Sequence, residues 1–344
     1  MKDIKVNLKD MTLEELEDFC LGMDEKKYRG EQIFRWVYTG INEIDDMVNL
    51  PDSFKRKLKE KAYISKMQVE KKYESGIDET VKYLLKLEDG NIIESVFMKY
   101  IFGISACLST QIGCRMGCSF CASTIGGMVR NLTPGEMADE ILAMQEDSKK
   151  KISNIVLMGS GEPLDNFHNV ISFLKIINSD KGLNIGMRHI TLSTCGLVPE
   201  IIKLADLNLQ ITLAISLHAP NDEIRKRIMP IANKYTIREI LEACKYYINI
   251  TNRRITFEYS IIKGINDSEE NARELSKLLK VLLCHVNLIP INEISEREYK
   301  KTEAYRVNEF KKILDDYGIE TTIRRELGAD INAACGQLRK NYKG

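Results

Sequence analysis

The chain has 344 residues, of which 44% are hydrophobic and 29% are charged, a composition that is typical of globular proteins and long enough for two domains. This composition excludes a collagen-like or low-complexity chain. Lysine plus arginine and aspartate plus glutamate number 50 each, so any affinity for nucleic acid or an anionic membrane must be local. Because no apolar run approaches the roughly 20 residues of a membrane span and the first residues lack a signal-peptide core, we expect a cytoplasmic protein whose nine cysteines are reduced.

The first 72 residues predict a small helical domain. Thr12 and Glu15 have the spacing of a capping box before an apolar run, and residues 28–38 follow the period of an amphipathic helix. Residues 55–72 hold eight lysines and arginines against two acidic residues. Such a run is either the solvated face of a helix or a patch that binds RNA phosphates, and the sequence leaves both interpretations open.

A β-hairpin extension is predicted for residues 73–100. Apolar and polar residues alternate over 81–87 and again over 92–98, and an Asp89-Gly90 turn signal separates the two runs. Glu94 lies inside the second predicted strand.

From residue 101 to the end, short β-rich runs alternate with helical stretches. Strands are predicted at 155–158, 189–193, 211–216, 255–262, 285–291 and 320–323, and helices at 134–145, 170–177, 237–247, 269–282 and 304–314. Repeated strand–helix units imply an α/β fold with parallel strands, in an open sheet or a barrel, and a ligand site at the carboxyl ends of the strands.

Three cysteines within eight residues give the strongest chemical signal, since Cys114, Cys118 and Cys121 form a C-x3-C-x2-C triplet on a glycine-punctuated loop. Zinc sites usually take four ligands, commonly from two pairs, and here the triplet stands alone. Three thiolates can instead hold three irons of a four-iron, four-sulfur (4Fe-4S) cluster and leave the fourth iron open to a small molecule. The cysteines interpreted as packing thiols are Cys20, Cys195, Cys244 and Cys284.

The triplet, with Phe120 before its last cysteine, resembles the signature of the radical S-adenosylmethionine (radical SAM) superfamily. That resemblance implies a partial (β/α)6 barrel and a 4Fe-4S cluster whose open iron binds the methionine part of S-adenosylmethionine (SAM). It also implies that the glycine-rich segment MGSGEPL, residues 158–164, approaches the cofactor directly after a strand.

Segments along the whole chain resemble the RlmN family, which methylates C2 of adenine in 23S rRNA and in certain tRNAs. They include QIGCRMGCSFCASTIGGMVRNLT, YRGEQIFRW, LSTCGLVP, SLHAP, KGINDS, HVNLIPIN and GADINAACGQLR. The resemblance implies action at the peptidyl transferase centre of 23S rRNA and on the adenine 3′ of the anticodon in some tRNAs. It also implies an RNA-binding accessory domain over 1–72, the hairpin extension over 73–100, and a radical SAM core with a catalytic tail over 101–344.

By the same resemblance, Cys335 carries the methyl group. One SAM methylates its sulfur, and a second SAM is cleaved to a radical that activates this methyl group for addition to C2. Cys107 then frees the Cys335 sulfur by forming a disulfide, and Glu94 accepts the proton from C2. A carrier is needed because C2 of adenine is electrophilic and cannot attack a sulfonium methyl group directly.

The resemblance also assigns the contacts to SAM, at or just after the ends of predicted strands, where an α/β barrel places its site. His218 alone could equally be a core histidine, whereas Ser216 and Asn292 are polar residues that end apolar strands. The assigned residues are Gly161, Glu162, Ser193, Ser216, Leu217, His218 and Asn292.

The expected partners are 23S rRNA, tRNA and an electron donor such as flavodoxin or ferredoxin, with no membrane and a monomeric enzyme. A local basic surface suffices for RNA, and the candidates are residues 55–72, Arg324 with Arg325, and Arg339 with Lys340. The target adenine must leave its stack to be modified. Two alternatives stay open: a relative of the Cfr type, which methylates C8 of the same rRNA adenine with the same cysteines, and a non-catalytic iron–sulfur or zinc protein that binds RNA.

Overall fold

The computed structural model describes residues 5–338, and its N-terminal part is helical, as predicted. It consists of α1 (Leu13–Leu21), α2 (Tyr28–Val37) and α3 (Asp52–Lys61), bounded by two short parallel strands, β1 (Val6–Asn7) and β2 (Ala62–Tyr63). The expected capping box between Thr12 and Glu15 is present. Helices α1 and α2 approach closely because Gly30 has no side chain: a Cβ there would lie 2.5 Å from the backbone nitrogen of Glu17.

Three antiparallel strands follow, where the sequence predicted two. The predicted hairpin is formed by β4 (Val81–Lys86) and β5 (Ile92–Tyr100). The additional strand β3 (Gln68–Glu74) pairs with β4, so the end of the basic run 55–72 is a strand and not a helix face. The side chains of β3 are almost all exposed, which removes the apolar alternation by which a strand is recognised in a sequence.

The remaining elements form a partial barrel of strand–helix units, which confirms the predicted α/β fold. In chain order, the strands are β6 (Gly103–Cys107), β7 (Gln111–Ile112), β8 (Arg130–Asn131), β9 (Asn154–Leu157), β10 (Ile190–Thr194), β11 (Thr212–Ser216), β12 (Ile255–Ile261), β13 (Cys284–Pro290) and β14 (Thr321–Ile323). The helices are α4 (Pro134–Ser148), α5 (Phe167–Asn178), α6 (Val198–Asp206), α7 (Asp222–Ile228), α8 (Ile237–Thr251), α9 (Glu269–Leu279) and α10 (Ala304–Asp316).

Strands β6 and β9 to β14 pair in that order, always in parallel, and β5 continues the same sheet on the other side of β6. The sequence missed β6, α6 and α7, which are short elements of five to nine residues. In the part of the chain that the structure describes, every helix is too short or too polar to cross a bilayer.

The C-terminal tail, residues 324–338, crosses the edge where the parallel strands end. The backbone nitrogen of Ala122, in the cysteine loop, donates a hydrogen bond to the carbonyl of Gly336 at 2.7 Å. On the opposite side, Nδ2 of Asn292 donates to the carbonyl of Cys335 at 2.9 Å. These two bonds hold Cys335 between the cysteine loop and the end of β13.

A buried ion pair joins the N-terminal domain to the barrel. Lys9 and Asp139, the latter on α4, are each only 3% exposed. Lys9 also donates to the carbonyl of Ser65 at 2.7 Å, and the Ser65 hydroxyl donates to Asp139 at 2.8 Å. With these bonds made, the pair is well satisfied, and removing one partner would leave an uncompensated buried charge.

We therefore expect Lys9→Met to lower the free energy of unfolding by about 3–5 kcal/mol, because the Asp139 carboxylate loses its cation. Urea denaturation measures this. The control is Lys59→Met, which breaks the exposed ion pair between Lys59 and Asp45 and should cost less than about 1 kcal/mol. Equal losses in the two variants would contradict a special role for the buried pair.

Candidate functional site

A cavity of about 930 Å³ lies at the carboxyl edge of the parallel strands. Its walls come from the cysteine loop, the segments after β9 to β13, and the tail. Leu217 does not line it, since its side chain is fully buried in the core and its backbone bonds to Glu258 and Arg225. The predicted site residues that do line it are Cys114, Cys118, Cys121, Gly161, Glu162, Ser193, Ser216, His218, Asn292 and Cys335.

The cysteine loop is fixed by its neighbours. The backbone nitrogen of Ser119 donates to the carbonyl of Ile228, at the end of α7, at 2.9 Å. Gly117 has a φ of +75°, which lets the loop turn sharply between the first two cysteines. Phe120 packs edge-on against the ring of His218, with ring centroids 5.0 Å apart. Contacts within the chain therefore define the shape of the loop.

The three thiols of this loop suit a multi-iron cluster better than a single metal ion. Within residues 5–338, no three cysteine, histidine, aspartate or glutamate side chains converge on a point that could hold one ion. A 4Fe-4S cluster needs no such convergence, since each iron takes one thiolate. Burial raises the pKa of Cys114 to about 12 and also raises the pKa of Cys118 and Cys121, so these thiols need bound metal to become thiolates.

Gly161 and Glu162 form a tight turn after β9. Gly161 has a φ of +111°, and a Cβ there would lie 2.7 Å from Cβ of Gln111. The buried carboxylate of Glu162 accepts hydrogen bonds from the backbone nitrogens of Leu164 at 3.1 Å and Cys195 at 2.7 Å. Burial also raises the pKa of Glu162. This carboxylate thus ties the turn to the loop after β10.

The ring of His218 is oriented and uncharged. Its Nδ1 accepts a hydrogen bond from the backbone nitrogen of Ser260 at 2.9 Å, so the neutral ring carries its proton on Nε2. Burial, followed by the nearby Arg225 guanidinium, lowers the pKa of His218 to about 3. The hydroxyls of Ser193 and Ser216 line the same cavity, 3.3 Å apart. This wall offers hydrogen bonds to a polar ligand without adding charge.

Asn292 stands where the cavity meets the tail. While its Nδ2 bonds to the tail, its Oδ1 is buried and has no hydrogen-bond partner among the described residues. A buried acceptor left in this way costs about 1–3 kcal/mol unless a ligand donates to it. The side chain therefore fits a ligand that carries an amine or hydroxyl group.

A second cavity of about 590 Å³ adjoins the first, and Cys335 lines both. Cys107, at the carboxyl end of β6, lines the second cavity. Burial raises the pKa of Cys107 far above its ordinary value, with the neighbouring Cys335 adding to the effect. Cys335 thus lies between the cavity lined by the cysteine triplet and the cavity lined by Cys107.

Arg324, one of the candidate RNA-binding residues, lies within this site, and its contact with RNA stays a prediction. It follows the short edge strand β14 and lines both cavities. Its Nη1 lies 4.0 Å from the Glu258 carboxylate and 3.4 Å from the sulfur of Met158. The charge of Cys335, followed by those of Glu258 and Cys107, raises the pKa of Arg324 against the effect of its burial. The Arg324 guanidinium in turn lowers the pKa of Cys107, although burial outweighs this effect.

Glu94 lines neither cavity. Its side chain is fully buried on the face of β5 that also carries Val96 and Met98, and those two pack against Cys107. Nζ of Lys82, on β4, lies 3.5 Å from the Glu94 carboxylate. The predicted proton acceptor therefore lies on the strand face that borders Cys107, behind the wall of the second cavity.

The basic residues proposed for RNA are partly neutralised. Lys59 pairs with Asp45, and Lys72 pairs with Asp147 at 3.1 Å. Arg325 is exposed at the rim of the second cavity. Arg339 and Lys340 lie outside the described residues. An RNA-phosphate role for any of these side chains stays a prediction.

A parallel partial barrel with a C-x3-C-x2-C loop beside a deep cavity at its carboxyl edge defines a radical SAM enzyme. In agreement, the Radical SAM superfamily model matches residues 108–276, and the model of the ribosomal RNA large subunit methyltransferase N-terminal domain matches residues 6–64.

The chain is 61% identical to a probable dual-specificity RNA methyltransferase RlmN from Clostridium novyi, over 98% of both chains. It is 56% identical to the protein of that name from Clostridioides difficile, over 100% of both. The crystal structure of a radical SAM methyltransferase from Sphaerobacter thermophilus superposes with a TM-score of 0.91 at 41% identity, covering 97% of this chain and 99% of the other. The chain therefore belongs to the RlmN family of radical SAM methyltransferases.

We expect Gly161→Ala to weaken SAM binding at least tenfold, because the added Cβ collides with Gln111 and shifts the turn that lines the cavity. Equilibrium dialysis with labelled SAM measures this. Gly264→Ala is the matched control, since Gly264 also has a positive φ, +71°, but has no atom within 4 Å of an added Cβ. Unchanged SAM binding in Gly161→Ala would contradict the prediction that this turn is part of the SAM site.

Proposed function

We propose that this chain methylates C2 of an adenine at the peptidyl transferase centre of 23S rRNA and of the adenine 3′ of the anticodon in some tRNAs. The observation that carries the proposal is the position of Cys335 between the two cavities. In this position, the Cys335 sulfur could react with the cofactor on one side and with Cys107 on the other. The name dual-specificity RNA methyltransferase, borne by the relatives, supports both classes of RNA.

Cys114, Cys118 and Cys121 would hold a 4Fe-4S cluster, with the fourth iron open to SAM. When bound, the cluster supplies the electron that cleaves SAM to an adenosyl radical. The hydroxyls and the neutral ring of the cavity wall would orient the polar groups of SAM, and the unpaired Asn292 oxygen would accept from one of its donors. Glu162 would hold the turn that leaves room for the cofactor backbone.

Cys335 would act as the carrier, and each turnover would use two molecules of SAM. A first SAM gives its methyl group to the Cys335 sulfur by displacement, a step that needs a thiolate and benefits from the Arg324 guanidinium. The adenosyl radical from a second SAM then removes one hydrogen atom from this S-methyl group. The remaining methylene radical adds to C2 and links the RNA covalently to Cys335.

Glu94 and Cys107 would release the product. Glu94 would take the proton from C2 through one water, because its carboxylate lies behind the wall of the second cavity and does not line it. The Cys107 sulfur attacks the Cys335 sulfur, which breaks the carbon–sulfur bond and forms a disulfide. The freed carbon takes up a proton to become the methyl group. The one electron released overall would return to the cluster held by the cysteine triplet, which gave one electron when SAM was cleaved. Thiol reductant then restores the two cysteines.

The same proposal places the enzyme in the cytoplasm as a monomer that receives electrons from a donor such as flavodoxin or ferredoxin. RNA would approach over the N-terminal domain and the rim formed by the tail. The adenine would be splayed out of its stack, since a base inside a helix cannot reach the second cavity.

The test is to reconstitute the holoenzyme anaerobically, supply reductant and methyl-labelled SAM, and digest a protein-free 23S rRNA fragment and a tRNA for mass spectrometry. We expect labelled 2-methyladenosine from both RNAs. Labelled 8-methyladenosine would contradict methylation at C2 and indicate Cfr-type methylation at C8. Formation of 5′-deoxyadenosine without a methylated nucleoside would contradict the proposed substrate.

We expect Cys335→Ala to lower RNA methylation at least a thousandfold while SAM cleavage continues, because the cluster ligands are intact. Cys107→Ala should instead accumulate a covalent RNA–protein adduct, visible as a shifted band on a denaturing gel. The control is Cys284→Ala, at the amino end of β13, away from both cavities. Full methylation by Cys335→Ala, or free methylated RNA from Cys107→Ala, would remove the proposed roles.

A further inference from the structure

Lys82 is a buried lysine in the middle of a strand. It is 1% exposed on β4, and a buried ammonium group is costly unless it is paired and hydrogen-bonded. Its Nζ lies 3.5 Å from the carboxylate of Glu94 and 3.3 Å from the carbonyl of Asn332. The ring of Tyr73 lies under it, with 5.3 Å between Nζ and the ring centroid.

These two oxygen partners of Lys82 belong to different parts of the proposed active site. Glu94 is the proposed proton acceptor on β5. Asn332 lies 250 residues along the chain from Lys82, in the tail, three positions before Cys335. One ammonium group thus contacts both the group that would take the C2 proton and the segment that presents the carrier sulfur.

Stability alone does not explain a lysine at this position. A buried ion pair is often no more stabilising than well-packed apolar side chains of similar volume, and the next residue on this face of β4, Leu84, is apolar. Two residues further, Lys86 is exposed and makes only a long ion pair with Glu70, at 3.8 Å. We therefore look for the role of Lys82 in its contacts with Glu94 and with the tail.

We propose that Lys82 is a positioning residue that orients the Glu94 carboxylate and fixes the tail segment that leads to Cys335. The first part rests on the proposed function, since it takes Glu94 as the acceptor of the C2 proton. The second part concerns the geometry of the tail and is independent of the substrate. Losing Lys82 therefore affects two properties that can be measured separately.

The tail is tested first, by hydrogen–deuterium exchange of the reconstituted holoenzyme without RNA. In Lys82→Met, exchange should be at least tenfold faster in a peptide covering residues 328–338, where the backbone nitrogen of Ala333 donates to Gly328. Lys86→Met, on the same strand face, should leave this peptide at the wild-type rate. If Lys82→Met does not fold, Lys82→Met with Glu94→Gln removes both charges and should show the same faster exchange. Wild-type exchange in either variant would overturn the contact with the tail.

The second readout is the steady-state fraction of RNA bound covalently during turnover with 23S rRNA fragment. It should rise at least fivefold in Lys82→Met, because Glu94 takes the proton slowly, and should stay near wild type in Lys82→Arg, which keeps a cation. Lys86→Met should match wild type. An unchanged adduct fraction in Lys82→Met, or an equal rise in Lys82→Arg, would overturn the orienting role. If Cys107→Ala forms no adduct at all, the proposed function fails, whereas the exchange experiment still decides the contact with the tail.

Discussion

The hydrogen bonds that hold the C-terminal tail across the barrel edge are the constraint on which the site depends. Cys335 lies far along the chain from the cysteine triplet and from Cys107. No single sheet or helix among the described residues contains Cys335, Cys107 and the triplet together. The bonds from Ala122 to Gly336 and from Asn292 to Cys335 bring its sulfur between the two cavities. Without them, the barrel would still have the cavity lined by the cysteine triplet, but Cys335, the proposed carrier, would not be held beside it.

Burial governs the chemistry of the groups gathered there. It raises the pKa of Cys107 and of the triplet cysteines, so these thiols are poor nucleophiles or ligands on their own. The Arg324 guanidinium acts against this effect and lowers the pKa of Cys107, but burial outweighs it.

The sequence predicted the parts of this account that depend on local pattern. The strands from β9 onward and most helices follow the apolar period. The triplet spacing predicted a cluster loop, and the structure places these three cysteines in the wall of the cavity. The exposed strand β3 lacks that period, because almost all of its side chains lie outside the core. The sequence did not single out Lys82, and it did not place Arg324 beside Cys107 and Cys335, because these contacts depend on residues in the tail or across the barrel. Neither a charge count nor the spacing of neighbours can show such contacts.

The central claim is that the methyl carbon travels through Cys335. The most direct measurement is peptide mass spectrometry of the wild-type holoenzyme before and after a single turnover with methyl-labelled SAM and 23S rRNA fragment. The account predicts a labelled S-methyl group on Cys335 before RNA is added, and its loss with formation of a disulfide between Cys107 and Cys335 afterwards. Label that reaches the RNA while Cys335 stays unmodified throughout would contradict it.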